Sequence, residues 1–257
     1  MADFKEHTKS EKVSIGDLVK IFLRSLSIQS SWNFSSMQNI GFAFSLIPFV
    51  EKSGGNREQR SRILKRHLEL FSTHPCLSGP IIGSVVKLEE ESCENNDCVK
   101  VANLKKALMA PYAAIGDPFF WGALKPLSAV VGVIMAIKGF LVAPLVFLLL
   151  YNSFHIWVRL RGFVEGYRDG RGAINFIRVL NLPEMSRKIR WISVILLGIL
   201  AGAIIAIPPV PYACDAGAFA RILLLIIILL CFWMVKRGIS PLVILYGTSI
   251  IFLMVAV

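Results

Sequence analysis

The chain has 257 residues, 55% of them hydrophobic and only 18% charged, with a mean hydropathy of +0.63. Soluble domains carry about 25% charged residues, so a water-soluble enzyme with a fully solvated surface is excluded. The net charge of +11 would suggest a nucleic-acid partner in a soluble protein, but residues 126–257 hold 12 Lys/Arg against 4 Asp/Glu among long apolar runs. Such charge orients a bilayer protein and leaves no nucleic acid as partner. The expected fold class is an all-α integral membrane protein: N-terminal amphipathic and re-entrant helices, then a C-terminal transmembrane helix bundle.

Residues 1–30 read as a cytoplasmic N-terminus and an interfacial amphipathic helix, without a cleavable signal peptide. Ile15, Leu18, Val19, Phe22 and Leu26 fall at helical spacing, opposite Asp17, Lys20 and Arg24, which predicts an apolar face toward membrane lipid. Residues 31–125 form the next region, of amphipathic helices and broken re-entrant hairpins. Ser36–Val50 is apolar but too short to span easily. Six basic residues lie in Glu51–Arg66, with a turn at Ser53-Gly54-Gly55-Asn56, and a second amphipathic stripe runs through Ile63, Leu64, His67, Leu68 and Phe71. The acidic cluster Glu89, Glu90, Glu91, Glu94 and Asp97 predicts a solvated loop.

Ala107–Leu124 combines Phe119, Phe120 and Trp121 with Pro111, Gly116, Asp117, Pro118 and Gly122. Proline and glycine inside an apolar run predict a broken hairpin, and an acid at membrane depth has to face protein or water. Residues 126–151 follow as one tilted span or two short arms. The segment 152–190, with eight Lys/Arg against three acids, reads as a cytoplasmic loop. Residues 191–257 give three transmembrane helices, the first carrying a Gly198-x-x-x-Gly202 spacing suited to close helix packing.

No phosphate loop, nucleophile elbow or zinc helix occurs, so no catalytic, cofactor-binding or metal-binding residue is assigned and no cofactor is expected. Cys93 and Cys98 lack the second ligand pair that a structural zinc site needs. The chemistry left is polar residues inside interrupted apolar segments. Asn33 beside Trp32 suits either an interfacial anchor or a sugar, which takes stacking plus directional hydrogen bonds. Asp117 with Trp121 four residues on offers the same pair; Lys125 is the alternative ion-pair partner of Asp117. His67 lies on an amphipathic helix, where an interface role and a functional one both remain open.

The strings Ser31-Trp32-Asn33-Phe34, Gly41-Phe42, Arg66-His67-Leu68-Glu69, Thr73-His74-Pro75, Leu88-Glu89-Glu90, Ala107-Leu108-Met109 and Ile115-Gly116-Asp117-Pro118 through Phe120-Trp121-Gly122 occur in this order. Together they resemble the IID component of the mannose/fructose/sorbose-type phosphoenolpyruvate-dependent sugar phosphotransferase system. The resemblance implies a multi-pass subunit of the bacterial inner membrane that forms a sugar path with a IIC subunit, as a trimer of IIC–IID pairs. Cytoplasmic IIA and IIB components phosphorylate the arriving hexose or amino sugar, and the IID chain has no phosphoryl-transfer residue of its own. On this reading the substrate-binding residues are Asn33, His67, Glu69, Asp117, Trp121 and Lys125. The chain departs from the family pattern at Ser72, Ala110, Ala114 and Ala123. Those departures fit a retuned substrate, or alternatively a structural or regulatory subunit that keeps the fold and partner contacts without sugar transport.

Overall fold

A computed structural model of the chain describes residues 13–53, 56–95, 98–170, 172–206 and 217–256. Those residues are helices joined by turns, with no strand among them. They divide into two units, 1–197 and 198–257.

In the first unit, helix α1 (Ile15–Ser25) begins at Ser14, whose hydroxyl accepts the Asp17 N–H at 3.2 Å and donates to the Asp17 carboxylate at 2.6 Å. This cap satisfies an otherwise orphaned donor. It also draws Asp17 inward, so the helix is turned from the expected orientation. Asp17, Ile21 and Ser25 are buried; of the expected apolar side, Leu18 and Phe22 pack half-buried against the core, whereas Ile15, Val19 and Leu26 are exposed. Both ends of α1 are held by side chains of opposite charge. Glu90 accepts the Val13 N–H at 2.8 Å and the Tyr167 hydroxyl at 3.1 Å, and the Arg159 guanidinium donates to the Ser25 carbonyl. Anion at the start and cation at the end match the helix dipole.

Helices α2 (Asn39–Lys52) and α3 (Arg57–His67) follow, α3 opening on a capping box between Asn56 and Gln59. A 3-10 turn (Pro75–Leu77) leads into α4 (Ser78–Asn95). Glu89, Glu90, Glu91 and Glu94 of the acidic cluster are therefore helical and not in a loop. The helix buries Glu89 and Glu90 because both have donors facing them, while Glu91 is exposed; the side chains of Glu94 and Asp97 lie outside the described residues.

The most extensive packing in this unit joins α4 to α7 (Ala143–Asp169) through two glycine pairs at four-residue spacing. A Cβ at Gly79 or Gly83 would lie 2.4 or 2.2 Å from the carbonyl oxygens of Arg159 and Phe163; one at Gly162 or Gly166 would collide with Pro80 at 2.4 Å. Only glycine permits this backbone approach. The pair singled out from sequence behaves otherwise, since a Cβ at Gly198 or Gly202 meets nothing within 4 Å.

Helix α5 (Cys98–Gly116) continues through a π-helical segment (Asp117–Leu124) into α6 (Lys125–Ile137). The expected broken hairpin at 107–124 is thus a continuous apolar helix, Val99–Ile137, of 39 residues. Pro118 cannot donate to the preceding turn and its ring crowds it; the chain widens into a π turn instead of breaking, and the Ser186 hydroxyl supplies the Pro118 carbonyl with a donor at 3.1 Å. The reversal comes later, over 138–142, where Gly139 takes φ +81°. The 126–151 region is accordingly two arms, each the end of a longer helix. Val99–Ile137 and Ala143–Asp169 are, among the described residues, the two helices long and apolar enough to cross a membrane.

The basic segment 152–190 is helical as well: the end of α7, then α8 (Gly172–Leu180) and the start of α9 (Leu182–Ala206). Its charges are accommodated one helical turn apart, as in Arg161–Glu165 and Arg187–Glu184, both at 2.8 Å. In the second unit α10 (Gly217–Lys236) and α11 (Pro241–Ala256) pack on each other, and Gly238 at φ +84° makes the turn between them. The loop expected at Pro209–Asp215 lies outside the described residues.

Candidate functional site

Two irregular segments, 31–38 and 68–74, are stitched together by polar side chains. Asn33 accepts the Ser36 N–H at 2.8 Å and the Ser35 hydroxyl at 3.2 Å, and its amide donates to Asn39 at 2.9 Å. Reciprocal backbone bonds between Asn33 and Met37 hold Met37 at φ 56°, unusual for a residue with a Cβ. Phe71 bonds Ser36 and Gln38 through its backbone, the Gln38 amide donates to the Thr73 carbonyl at 2.9 Å, and Asn39 donates to the Leu68 carbonyl at 2.6 Å. The amide of Asn33 is therefore engaged in shaping this loop.

Below the loop lies a buried charge cluster. Glu89 receives the Arg66 guanidinium at 2.6 and 2.7 Å and the His67 ring nitrogen Nε2 at 2.8 Å. Burial pushes the Glu89 carboxyl up, but His67 and Arg66 outweigh it and hold the group below its ordinary range. Burial pushes His67 down more than Glu89 lifts it, so near neutral pH the imidazole is neutral and Nε2–H donates to the carboxylate. Lys105, 2% exposed, donates to the carbonyls of His67 at 3.1 Å and Glu69 at 3.3 Å and sits 4.8 Å above the Phe42 ring. The Glu69 side chain points the other way, to an exposed ion pair with Lys106 at 2.9 Å that keeps its carboxyl low.

The second set of candidates has a different setting. Asp117, Trp121 and Lys125 are exposed along one face of the α5–π–α6 helix. The π turn, marked by the Lys125 N–H bonding the Phe120 carbonyl, points Phe119, Phe120, Ala123 and Leu124 into the core and leaves Asp117 and Trp121 outward. Asp117 has no hydrogen-bond or ion-pair partner among the described residues; the pairing with Lys125 is not made. Trp121 is 48% exposed, its edge against His74 at 4.7 Å. Ala114 and Ala110, two of the family departures, are exposed on the same helix about one and two turns before Asp117. Of the six residues singled out from sequence, the fold thus groups Asp117, Trp121 and Lys125 on an open face, and commits Asn33, His67 and Glu69 to contacts within the chain.

Residues not singled out as functional stand behind that face. His74 stacks on Phe120, His155 meets Phe120 edge-on at 6.4 Å, and Arg159 is 2% exposed. The Tyr151 hydroxyl interacts with Trp121 and with the buried Cys76. Their sequence separation of about two elements hid the grouping; the only signal was the pair of Gly-x-x-x-Gly spacings, which bring α4 and α7 together.

Residues 12–257 match the family described as the PTS system mannose/fructose/sorbose family IID component. The chain belongs to that family. This IID chain is 38% identical over 173 residues to the mannose-specific EIID component of Escherichia coli (strain K12), covering 66% of this chain and 61% of that protein. It is 29% identical over 262 residues to the fructose permease IID component of Bacillus subtilis (strain 168), covering 95% of each. Its fold matches a chain in the cryo-electron microscopy structure of the mannose transporter ManYZ with microcin E492, with a TM-score of 0.60 and 27% identity, over 95% of this chain and 96% of that one. The aligned stretch with the Escherichia coli relative therefore spans less than two thirds of that relative's length. A IID chain with this fold is a membrane protein.

Proposed function

We propose that this IID chain forms, with a IIC subunit, the path by which a hexose or amino sugar enters the cell, phosphorylated on arrival by IIA and IIB components. The observation that carries the reading is the contrast on the long apolar helix: Asp117 is exposed and has no partner among the described residues, beside the half-exposed Trp121. An ionisable group in an apolar spanning segment is expensive unless it faces protein or water, and marks a substrate path. A carboxylate accepts two sugar hydroxyls while an indole covers the apolar face of the ring, so the two residues supply both parts of a sugar contact. Lys125, one turn further, adds a charge to the same path. Asn33, which shapes the 31–38 segment, and His67, which ties the end of α3 to Glu89, act on this reading as framework, and Glu69 pairs with Lys106 at the surface.

The chain sits in the bacterial inner membrane as a multi-pass subunit, in a trimer of IIC–IID pairs, with its basic segment 152–190 toward the cytoplasm. Ala110 and Ala114 lie beside the proposed contact, which supports retuned sugar choice over loss of transport. Co-expression with the IIC partner and measurement of phosphoenolpyruvate-dependent uptake tests the proposal. Uptake of mannose, fructose or sorbose that requires this chain supports it; uptake unchanged on deleting the chain eliminates it.

A further inference from the structure

His74 has no part in the sugar contact, yet it touches the residue that does. It is 1% exposed. Its ring stacks on Phe120 with centroids 4.9 Å apart and planes 15° apart, and meets the Trp121 ring at 4.7 Å and 60°. The backbone fixes the opposite edge: Nδ1 accepts the Cys76 N–H at 3.2 Å, which makes His74 the cap of the 3-10 turn and leaves the proton on Nε2. From the helix side, a Cβ at Gly116 would lie 2.4 Å from the His74 Cβ and 2.7 Å from its Cγ. The imidazole fills space that only glycine leaves, directly before Asp117. Burial, with His155 and Arg159 nearby, holds its pKa at about 4, so near neutral pH the ring is an uncharged flat surface.

A half-exposed indole on a helix has several rotamers, and a buried ring against its edge selects among them. We infer that His74 is a positioning residue that holds the Trp121 indole outward, pre-set to cover the face of the sugar. The inference rests on the proposed sugar contact at Trp121. His74 has two separable jobs, the cap and the ring, and two substitutions tell them apart. His74→Asn keeps a capping acceptor but removes the ring; His74→Phe keeps a flat ring but removes the acceptor.

Two readouts on the complex with its IIC partner decide the matter. The first is acrylamide quenching of Trp121, taken as the difference between each variant and the same variant carrying Trp121→Phe. The second is KM and maximal rate for uptake of mannose, fructose and sorbose. His74→Asn is expected to raise Trp121 quenching and to raise KM roughly fivefold with the maximal rate kept, while His74→Phe stays at wild-type values in both. Gly116→Ala, which presses on the imidazole from the other side, is expected to follow His74→Asn. Unchanged quenching in His74→Asn, or a His74→Phe variant as impaired as His74→Asn, overturns the inference. If the wild-type complex takes up none of the three sugars, the transport reading fails, and the quenching comparison still decides whether His74 holds Trp121.

Discussion

Glu89 and Asp117 are both carboxylates in apolar surroundings, and the fold treats them in opposite ways. Glu89 is 1% exposed and has two basic partners within 2.8 Å; Asp117 is exposed and has none among the described residues. A buried charge whose partners are all supplied by the chain holds segments together and has nothing left to offer a ligand. An acid left open beside an aromatic ring keeps its accepting capacity for something outside the chain. The resemblance to sugar permeases weighs both motifs alike, and only the partner count separates framework from contact.

The comparison breaks most readily at Glu89. Glu89→Ala removes the buried carboxylate that both the Arg66 guanidinium and the His67 imidazole bond, and is expected to cost about 3–5 kcal/mol. Thermal unfolding of the purified complex would show it, and near-wild-type stability would mean that Glu89 is no keystone. Acid comes next. His67 and His74 are neutral in the folded chain, both titrating below their ordinary value of 6.5, whereas the unfolded chain binds their protons. Stability is therefore complete above about pH 6.5 and is lost as pH falls from there toward 4, by about 3 kcal/mol for His74 alone. The lowered Glu89 carboxyl adds a further loss below its ordinary value of 4.5. Unfolding measured from pH 7.5 down to 4 should show the decline, and His74→Phe should flatten part of it.

At the open acid the expectation reverses. Asp117→Asn should lower sugar uptake about tenfold while changing stability by no more than about 0.5 kcal/mol, since no partner within the chain is lost. Reduced uptake accompanied by unfolding would place Asp117 with the framework after all. Smallest is the exposed Glu69–Lys106 pair, half solvated on both sides. Lys106→Ala should cost less than about 1 kcal/mol and leave uptake near wild type; a larger uptake defect would extend the open face to Lys106.

Several features were legible in the residues. The run of apolar segments with flanking cations marked a helical membrane protein, and the ordered strings marked the IID family. The four-residue separation pairs Asp117 and Trp121 inside an expected hairpin; the structure keeps both exposed, on a continuous helix instead. Where the reading failed, a distant partner had intervened. Pro111, Gly116 and Pro118 signal a break locally, but with His74 packed into the space at Gly116 and Ser186 bonding the Pro118 carbonyl from a distant helix, the chain widens into a π turn and the helix runs on. The acidic run looked solvated because its donors Arg66, His67, Tyr167 and the Val13 N–H lie far from it in sequence.

Composition and hydropathy by themselves determined the class, and the ordered strings the family, because both are properties of residues near one another in the chain. The tertiary structure alone decided which polar groups are consumed and which stay available, which glycines carry close packing, and that His74 lies against Trp121. Those outcomes depend on contacts between residues many turns apart, and the desolvation cost of a charge is fixed only once all its neighbours are in place.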